Sequence, residues 1–176
     1  LSDTDMVKYQ RLAMTNPSAP NPSVEAILHA IIPFKFVDHT HTDAVVTITN
    51  TEGGEGKIKE IYGDRVLVIP YIMPGFVLAK LVYDMTRGID WDKLDGMVLL
   101  NHGLFTFDNS AKGSYEKMIE LVSMAEKYLV KNGAKLDSAT KVAPPDKDEK
   151  TTHGSVTSVA HLNENKTTSG SATLVE

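Results

Sequence analysis

The chain has 176 residues, enough for one domain with a sizeable core and too few for two of ordinary size. Its net charge of −5 lacks the basic footprint of a nucleic-acid-binding protein. The absence of cysteine excludes disulfides, thiolate zinc sites and cysteine nucleophiles, and it is compatible with a reducing cytoplasm. The apolar runs are shorter than the ~20 residues that cross a bilayer, so we expect no membrane partner. No secretory leader opens the sequence, and a first residue of Leu1 suggests a fragment or a processed product.

The composition changes sharply near Gly133. Every aromatic residue lies before that point, and the rest of the chain is rich in Ser, Thr, Lys and Asp. Such a segment buries too little apolar surface to offset its ordering entropy. We therefore expect a folded domain over residues 1–133 and a flexible polar tail or linker over residues 134–176 that limited proteolysis removes first. A short strand or helix around Val156–Leu162 is the open alternative.

Helical periodicity with capping signals alternates along the domain with short apolar runs that are typical of strands. The predicted elements are a helix from Ser2 to about Met14, a helix from Pro22 to Pro33, a strand over Phe34–Asp38, a helix or strand over Asp43–Ile48, a glycine-rich turn over Thr51–Gly56, a strand over Arg65–Tyr71, a helix opening at Pro74-Gly75, strands over Gly96–Leu100 and Leu104–Phe107, and a helix over Ser110–Lys131. This order predicts an α/β sandwich, in which helices cover a sheet.

Three of the six histidines lie at the ends of predicted strands. His39 and His41 are two residues apart, so at a strand end both rings point to the same side. His102 follows another apolar strand and precedes Gly103, which lets the backbone turn. If the two strands are neighbours, three neutral imidazoles converge, which is the ligand set of a catalytic zinc ion. Unrelated surface or capping histidines are the alternative.

Glu25 is the candidate acid–base group, because a helix running back across the sheet brings it toward His39 and His41. The alternative is that Glu25 only stabilises the start of its helix, and the pattern alone favours this second interpretation. His29 lies among apolar residues, so we expect a half-buried core histidine. His153 and His161 fall in the predicted tail.

Three segments together resemble the class II aldolase/adducin family. They are Pro22-Ser23-Val24-Glu25 with His29, Val37 to Val45 around the two paired histidines, and Leu99-Leu100-Asn101-His102-Gly103-Leu104. The resemblance covers about residues 1–131. It extends to the aldolase portions of bifunctional rhamnulose-phosphate aldolase/short-chain dehydrogenase proteins, which share stretches similar to Pro70–Phe76 and Asp95–Gly103.

The resemblance implies a three-layer α/β/α sandwich around a mostly antiparallel sheet, assembled as a homotetramer. His39, His41 and His102 would hold one Zn²⁺ per chain, and Glu25 would be the catalytic carboxylate. The implied activity is cytoplasmic aldol cleavage of a ketose 1-phosphate. With rhamnulose 1-phosphate, in rhamnose catabolism, the products are dihydroxyacetone phosphate and lactaldehyde.

Two departures from the family pattern leave other functions open. The family's phosphate-binding loop lies upstream of the acidic helix, and this chain begins too late to include it, so the domain is expected to be incomplete at its N-terminus. Thr51–Gly56 is no substitute, because its two carboxylates repel phosphate. The interval between Glu25 and His39 is also shorter than in the single-domain aldolases of the family. No GxGxxG motif is present, so we expect no dinucleotide site. The rivals are an epimerase or dehydratase acting on a sugar phosphate, and an inactive metal-binding or assembly domain.

Overall fold

A computed structural model of the chain describes residues 2–136 and 160–162. Its helices and strands, numbered in chain order, are α1 Asp3–Leu12, α2 Ala26–Ile31, β1 Phe36–Thr40, α3 Asp43–Thr49, α4 Gly54–Tyr62, β2 Val66–Ile69, α5 Phe76–Thr86, β3 Gly96–Leu99, β4 Gly103–Asp108, α6 Ala111–Lys131, β5 Ala134–Leu136 and β6 Ala160–Leu162. Short 3₁₀ turns precede β2 and β3, at Gly63–Arg65 and Trp91–Lys93.

The main sheet has four strands in the order β1-β4-β3-β2. The pairs β1–β4 and β4–β3 are antiparallel, whereas β3–β2 is parallel. Thr40 is paired with Leu104, and Leu99 is paired with both Gly103 and Ile69. The last residues of β1, β2 and β3 and the first residue of β4 therefore lie at one end of the sheet. The predicted mostly antiparallel sheet is confirmed.

Apolar side chains alternate along the strands and form a core on each face of the sheet. Leu104 and Val98 pack with helices α3, α4 and α6 on one face. Phe105, Phe107 and Met97 pack with helices α2 and α5 on the other face. Helices thus cover both faces, which confirms the three-layer α/β/α architecture.

The sequence left helix and strand as alternatives for Asp43–Ile48. The structure forms a helix there, α3. Its β-branched residues favour a strand locally, but Val45 and Ile48 are fully buried in the core beneath α6. Helical spacing directs both side chains toward that core, so tertiary packing overrides the local preference.

Several predicted boundaries were wrong, among them the start of the helix expected from Pro22, which begins at Ala26. The predicted turn over Thr51–Gly56 is interrupted at Gly54, where α4 begins. A side chain at Gly54 would place its Cβ only 2.6 Å from the Thr49 carbonyl oxygen, so this glycine allows α4 to pack closely on α3. The first strand occupies Phe36–Thr40 rather than Phe34–Asp38, so His39 lies within the strand rather than after it.

The chain continues past α6 into a separate two-stranded antiparallel sheet, in which β5 pairs with β6. In this sheet Lys135 is paired with His161. Strand β6 falls within the stretch Val156–Leu162, where a short element was the open alternative. Most of the predicted tail, including His153, lies outside the described residues, and its flexibility stays a prediction. In the described part of the chain, no helix combines the length and apolar character needed to cross a membrane.

Candidate metal centre

Four side chains from three separate parts of the chain meet at one end of the main sheet. Glu25 precedes α2, His39 and His41 lie at the end of β1, and His102 lies in the turn from β3 to β4. One ligand atom from each residue lies within 4.8 Å of all the others. The structure therefore brings together all four residues singled out in the sequence, although their chemical roles stay predictions.

The shortest distances in this cluster join ring nitrogens and one carboxylate oxygen. Glu25 Oε1 lies 2.8 Å from His102 Nε2, 3.4 Å from His39 Nε2 and 3.6 Å from His41 Nε2. The Nε2 atoms of His39 and His41 are 2.9 Å apart. His39 and His102 are nearly buried, whereas 60% of the His41 side chain is exposed. The cluster is thus open to solvent on the His41 side.

His39 is held by its neighbours in the sheet. Its ring stacks on Phe105, its partner in the β1–β4 ladder, with ring centroids 3.9 Å apart. Nδ1 lies 3.0 Å from the Leu104 carbonyl oxygen, which can only accept a hydrogen bond, so the ring proton is on Nδ1. Burial lowers the pKa of His39 to about 4. The neutral ring therefore directs the Nε2 lone pair into the cluster.

Glu25 does not act as a helix cap. It is the residue before α2, but its side chain makes no capping hydrogen bond. Oε2 accepts a hydrogen bond from the Ser23 hydroxyl at 3.2 Å, and Oε1 faces the three histidines. Burial raises the pKa of Glu25, but the neighbouring His39 and the hydrogen bond from His102 outweigh this effect, so the pKa lies below its ordinary value. The carboxylate is therefore ionised.

Glycine is required at position 103 for this geometry. A Cβ there would lie 3.0 Å from His41 Cδ2 and 3.1 Å from His39 Cε1, and still closer to the Thr40 carbonyl oxygen. Strand β3 is not itself a neighbour of β1, because β4 lies between them. His102 reaches the other two histidines because its turn leads directly into β4, and Gly103 allows that turn to lie against the end of β1.

The donor atoms fit a divalent cation. The Nε2 lone pair of His39 and the ionised Oε1 of Glu25 are both acceptors, and they lie only 3.4 Å apart. A cation between them removes this repulsion, and three imidazoles with one carboxylate form a donor set that suits zinc and related metals. The arrangement is that of a metal-binding cluster.

The profile of the Class II Aldolase and Adducin N-terminal domain matches residues 1–129. The chain belongs to this family. Class II aldolases are metal-dependent, which agrees with a cluster able to bind a metal ion, and membership suggests a lyase-type enzyme.

Individual relatives share the same region. The chain is 36% identical over 130 residues to "Uncharacterized oxidoreductase YuxG" of Bacillus subtilis (strain 168), covering 73% of this chain and 18% of that protein. It is 46% identical to the N-terminal Class II Aldolase domain of a conserved protein from Thermoplasma acidophilum, with a TM-score of 0.64 and coverage of 73% of this chain and 58% of that one. An aldolase II superfamily protein from Pseudomonas syringae shares the fold at 19% identity, with a TM-score of 0.51 and coverage of 66% and 50%. The chain thus spans only part of each relative.

Other residues considered in the sequence lie outside the cluster. His29 is exposed rather than half-buried, so that expectation was wrong, although its ring meets the edge of Phe105 at a centroid distance of 5.4 Å. Phe105, whose ring stacks on His39, was not among the residues singled out in the sequence. Its pairing with His39 has no signal in a single sequence.

Proposed function

We propose that this chain is the aldolase part of a zinc-dependent enzyme that cleaves a ketose 1-phosphate. The proposed substrate is rhamnulose 1-phosphate, in rhamnose catabolism, and the products are dihydroxyacetone phosphate and lactaldehyde. The observation that carries the proposal is the meeting of Glu25 Oε1 with three histidine Nε2 atoms at one end of the sheet. Such clusters of imidazoles and a carboxylate are typical of catalytic metal sites.

In this proposal His39, His41 and His102 hold the ion. When bound, a divalent cation stabilises the negative charge that develops on a substrate's carbonyl oxygen during carbon–carbon cleavage. The Nδ1–H of His39 stays on the Leu104 carbonyl oxygen and keeps the ring oriented. The exposed His41 side leaves room for a sugar phosphate to approach.

Glu25 is the group that we propose to accept and return a proton. Its Oε1 is ionised and faces the cluster, while its Oε2 is held by Ser23. A carboxylate oriented in this way acts as a general base when a substrate hydroxyl lies within hydrogen-bonding reach of it. Its proximity to all three rings also makes it a further metal ligand in the absence of substrate.

Two rival functions use the same cluster. An epimerase or dehydratase acting on a sugar phosphate requires the same metal and the same acid–base group. An inactive domain retained for metal binding or assembly requires no turnover. The ionised carboxylate among the histidines favours an enzyme over a domain kept only for assembly, because an assembly role does not require an ionised group in that position.

The test combines metal content with turnover. Wild-type protein should carry about one zinc per chain and should cleave a ketose 1-phosphate, with rhamnulose 1-phosphate preferred. His102→Ala should lose the metal, whereas His29→Ala, a histidine outside the cluster, should retain it. Glu25→Gln should retain the metal and lose cleavage, with Glu116→Gln, at an exposed position of α6, as the matched control.

Each rival has its own result in this experiment. Metal without cleavage, but with epimerisation or dehydration of the sugar phosphate, would identify the related enzymes. Metal without any turnover would indicate a binding domain. Full zinc occupancy in His102→Ala would contradict the proposed ligand set.

We also propose that the chain forms a homo-oligomer in the cytoplasm, a tetramer by resemblance to its family. Strand β1 supports self-association, because among the described strands it pairs with β4 alone and lies at an edge of the main sheet. Light scattering at micromolar concentration should give a mass several times that of one chain. A strictly monomeric mass would contradict this proposal.

A further inference from the structure

The turn that carries His102 has an unusual backbone. Asn101 has a φ of 58°, and it is the one residue other than glycine with a positive φ in the part of the chain that the structure describes. Asparagine tolerates this left-handed conformation better than most residues with a side chain. The conformation reverses the chain between β3 and β4, so it determines the direction in which His102 leaves the sheet.

Two hydrogen bonds hold this turn against the C-terminal end of α3. The backbone N–H of Asn101 donates to Thr49 Oγ1 at 3.1 Å, and its side-chain Nδ2 donates to Asn50 Oδ1 at 2.5 Å. Thr49 is only 6% exposed, and its own hydroxyl proton points to the Val46 carbonyl oxygen at 3.1 Å. The hydroxyl oxygen is therefore already oriented to accept the bond from Asn101.

The opposite end of the same short helix follows the other two histidines directly in the chain. Helix α3 begins at Asp43, two residues after His41, and it ends at Thr49. Fully buried Val45 and Ile48 anchor it in the core. One fixed helix thus joins the segment of His39 and His41 to the turn of His102, which lies more than 60 residues later in the chain.

We propose that Asn101 and Thr49 are positioning residues for the metal centre, which hold His102 at its distance from His39 and His41 through α3. The proposal rests on the metal-dependent function proposed above. Neither side chain belongs to the cluster of four donors. Their contribution is to orient the third ligand before the ion arrives, so their loss weakens metal binding without removing a ligand.

The experiment measures Co²⁺ and Zn²⁺ affinity of the full chain, with the visible absorption of bound Co²⁺ as a report of coordination geometry. Thr49→Val removes the acceptor of the turn at nearly constant volume. Thr86→Val is the matched control, because Thr86 is also 6% exposed and donates its hydroxyl proton to a helix carbonyl, that of Val82, at 2.7 Å. Asn101→Ala removes the side-chain bond and disfavours the left-handed backbone, whereas Asn101→Gly removes only the bond.

We expect Thr49→Val and Asn101→Ala to weaken metal binding by about 10–100-fold, with an altered Co²⁺ spectrum at saturation. Asn101→Gly should lose less affinity than Asn101→Ala. Thr86→Val should bind the metal with wild-type affinity. We expect this even if Thr86→Val and Thr49→Val lower the unfolding temperature of the metal-free protein equally. Circular dichroism identifies any variant that does not fold, and Asn101→Gly, which keeps the backbone conformation, then carries the test.

Wild-type affinity in both Thr49→Val and Asn101→Ala would overturn the inference. Equal loss in Thr86→Val would overturn it too, because the effect would then follow general stability. A wild-type chain that binds no metal would overturn the proposed function together with this inference. If the wild-type chain binds metal and the variants Thr49→Val and Asn101→Ala bind it with the same affinity, this inference alone is overturned.

Discussion

Gly103 provides a direct test of how closely β1 and β4 must approach at the cluster. In Gly103→Ala the new methyl group meets the Thr40 carbonyl oxygen well inside van der Waals contact, and two ring carbons of His41 and His39 lie at 3.0 and 3.1 Å. The carbonyl belongs to the backbone of a paired strand, so it cannot rotate away. The gap must widen by about an ångström to reach an ordinary contact of about 3.5 Å.

This displacement has a predictable cost. Inserting a methyl group into a packed site typically lowers the free energy of unfolding by about 1–3 kcal/mol. For a domain of this size the melting temperature should fall by about 3–10 °C. The end of β1 carries both histidines, so the same movement should also lower metal affinity.

The assay is urea unfolding followed by circular dichroism, with a matched glycine as control. Gly56 lies within α4, and a Cβ added there meets nothing within 4 Å. Gly56→Ala should therefore raise the free energy of unfolding by about 0.5–1 kcal/mol, because alanine favours a helix. If Gly103→Ala unfolds at the wild-type midpoint with an unchanged slope, β1 and β4 do not need glycine for their close approach and the prediction is wrong.

Two further predictions concern contacts away from the cluster. Tyr62 donates its hydroxyl proton to the Leu121 carbonyl oxygen at 2.8 Å, so Tyr62→Phe should lower the free energy of unfolding by about 1 kcal/mol in urea titrations. Burial raises the pKa of Tyr62 above its usual range. The stability that the neutral Tyr62 side chain contributes is therefore complete below about pH 10 and is lost as the pH rises beyond that value. Ultraviolet titration of the native and the unfolded protein checks this shift. Asp3 Oδ1 accepts a hydrogen bond from the Phe76 N–H at 2.7 Å, so Asp3→Ala should lower the free energy of unfolding by about 1 kcal/mol and Asp3→Asn by less, because asparagine keeps an acceptor. A wild-type unfolding midpoint in Asp3→Ala would show that the contact between α1 and the start of α5 does not stabilise the fold.

The sequence alone was sufficient for most elements and for naming the four residues of the cluster. Capping residues, prolines and apolar periodicity are local signals, and they predicted α1, α5, α6 and the strands β2 to β4 near their observed positions. The pairing of His39 with His41 also follows from local geometry, because alternate residues of a strand point to the same side. His102 was a candidate from its place after an apolar strand, and Glu25 from its place at the start of a helix, but only the resemblance favoured a catalytic role for Glu25 over a role at the helix start.

Tertiary structure decided what those residues do together. The helix over Asp43–Thr49 forms because Val45 and Ile48 find a core beneath α6, a contact with no trace in the local sequence. Glu25 faces the histidines rather than capping its helix, because the end of the sheet lies beneath the start of α2. His102 meets His39 only through β4, which lies between the strands that precede them. Each of these outcomes depends on contacts between segments that are distant in the chain. Periodicity and capping signals report only on residues that are close together in the sequence, so they do not predict such contacts.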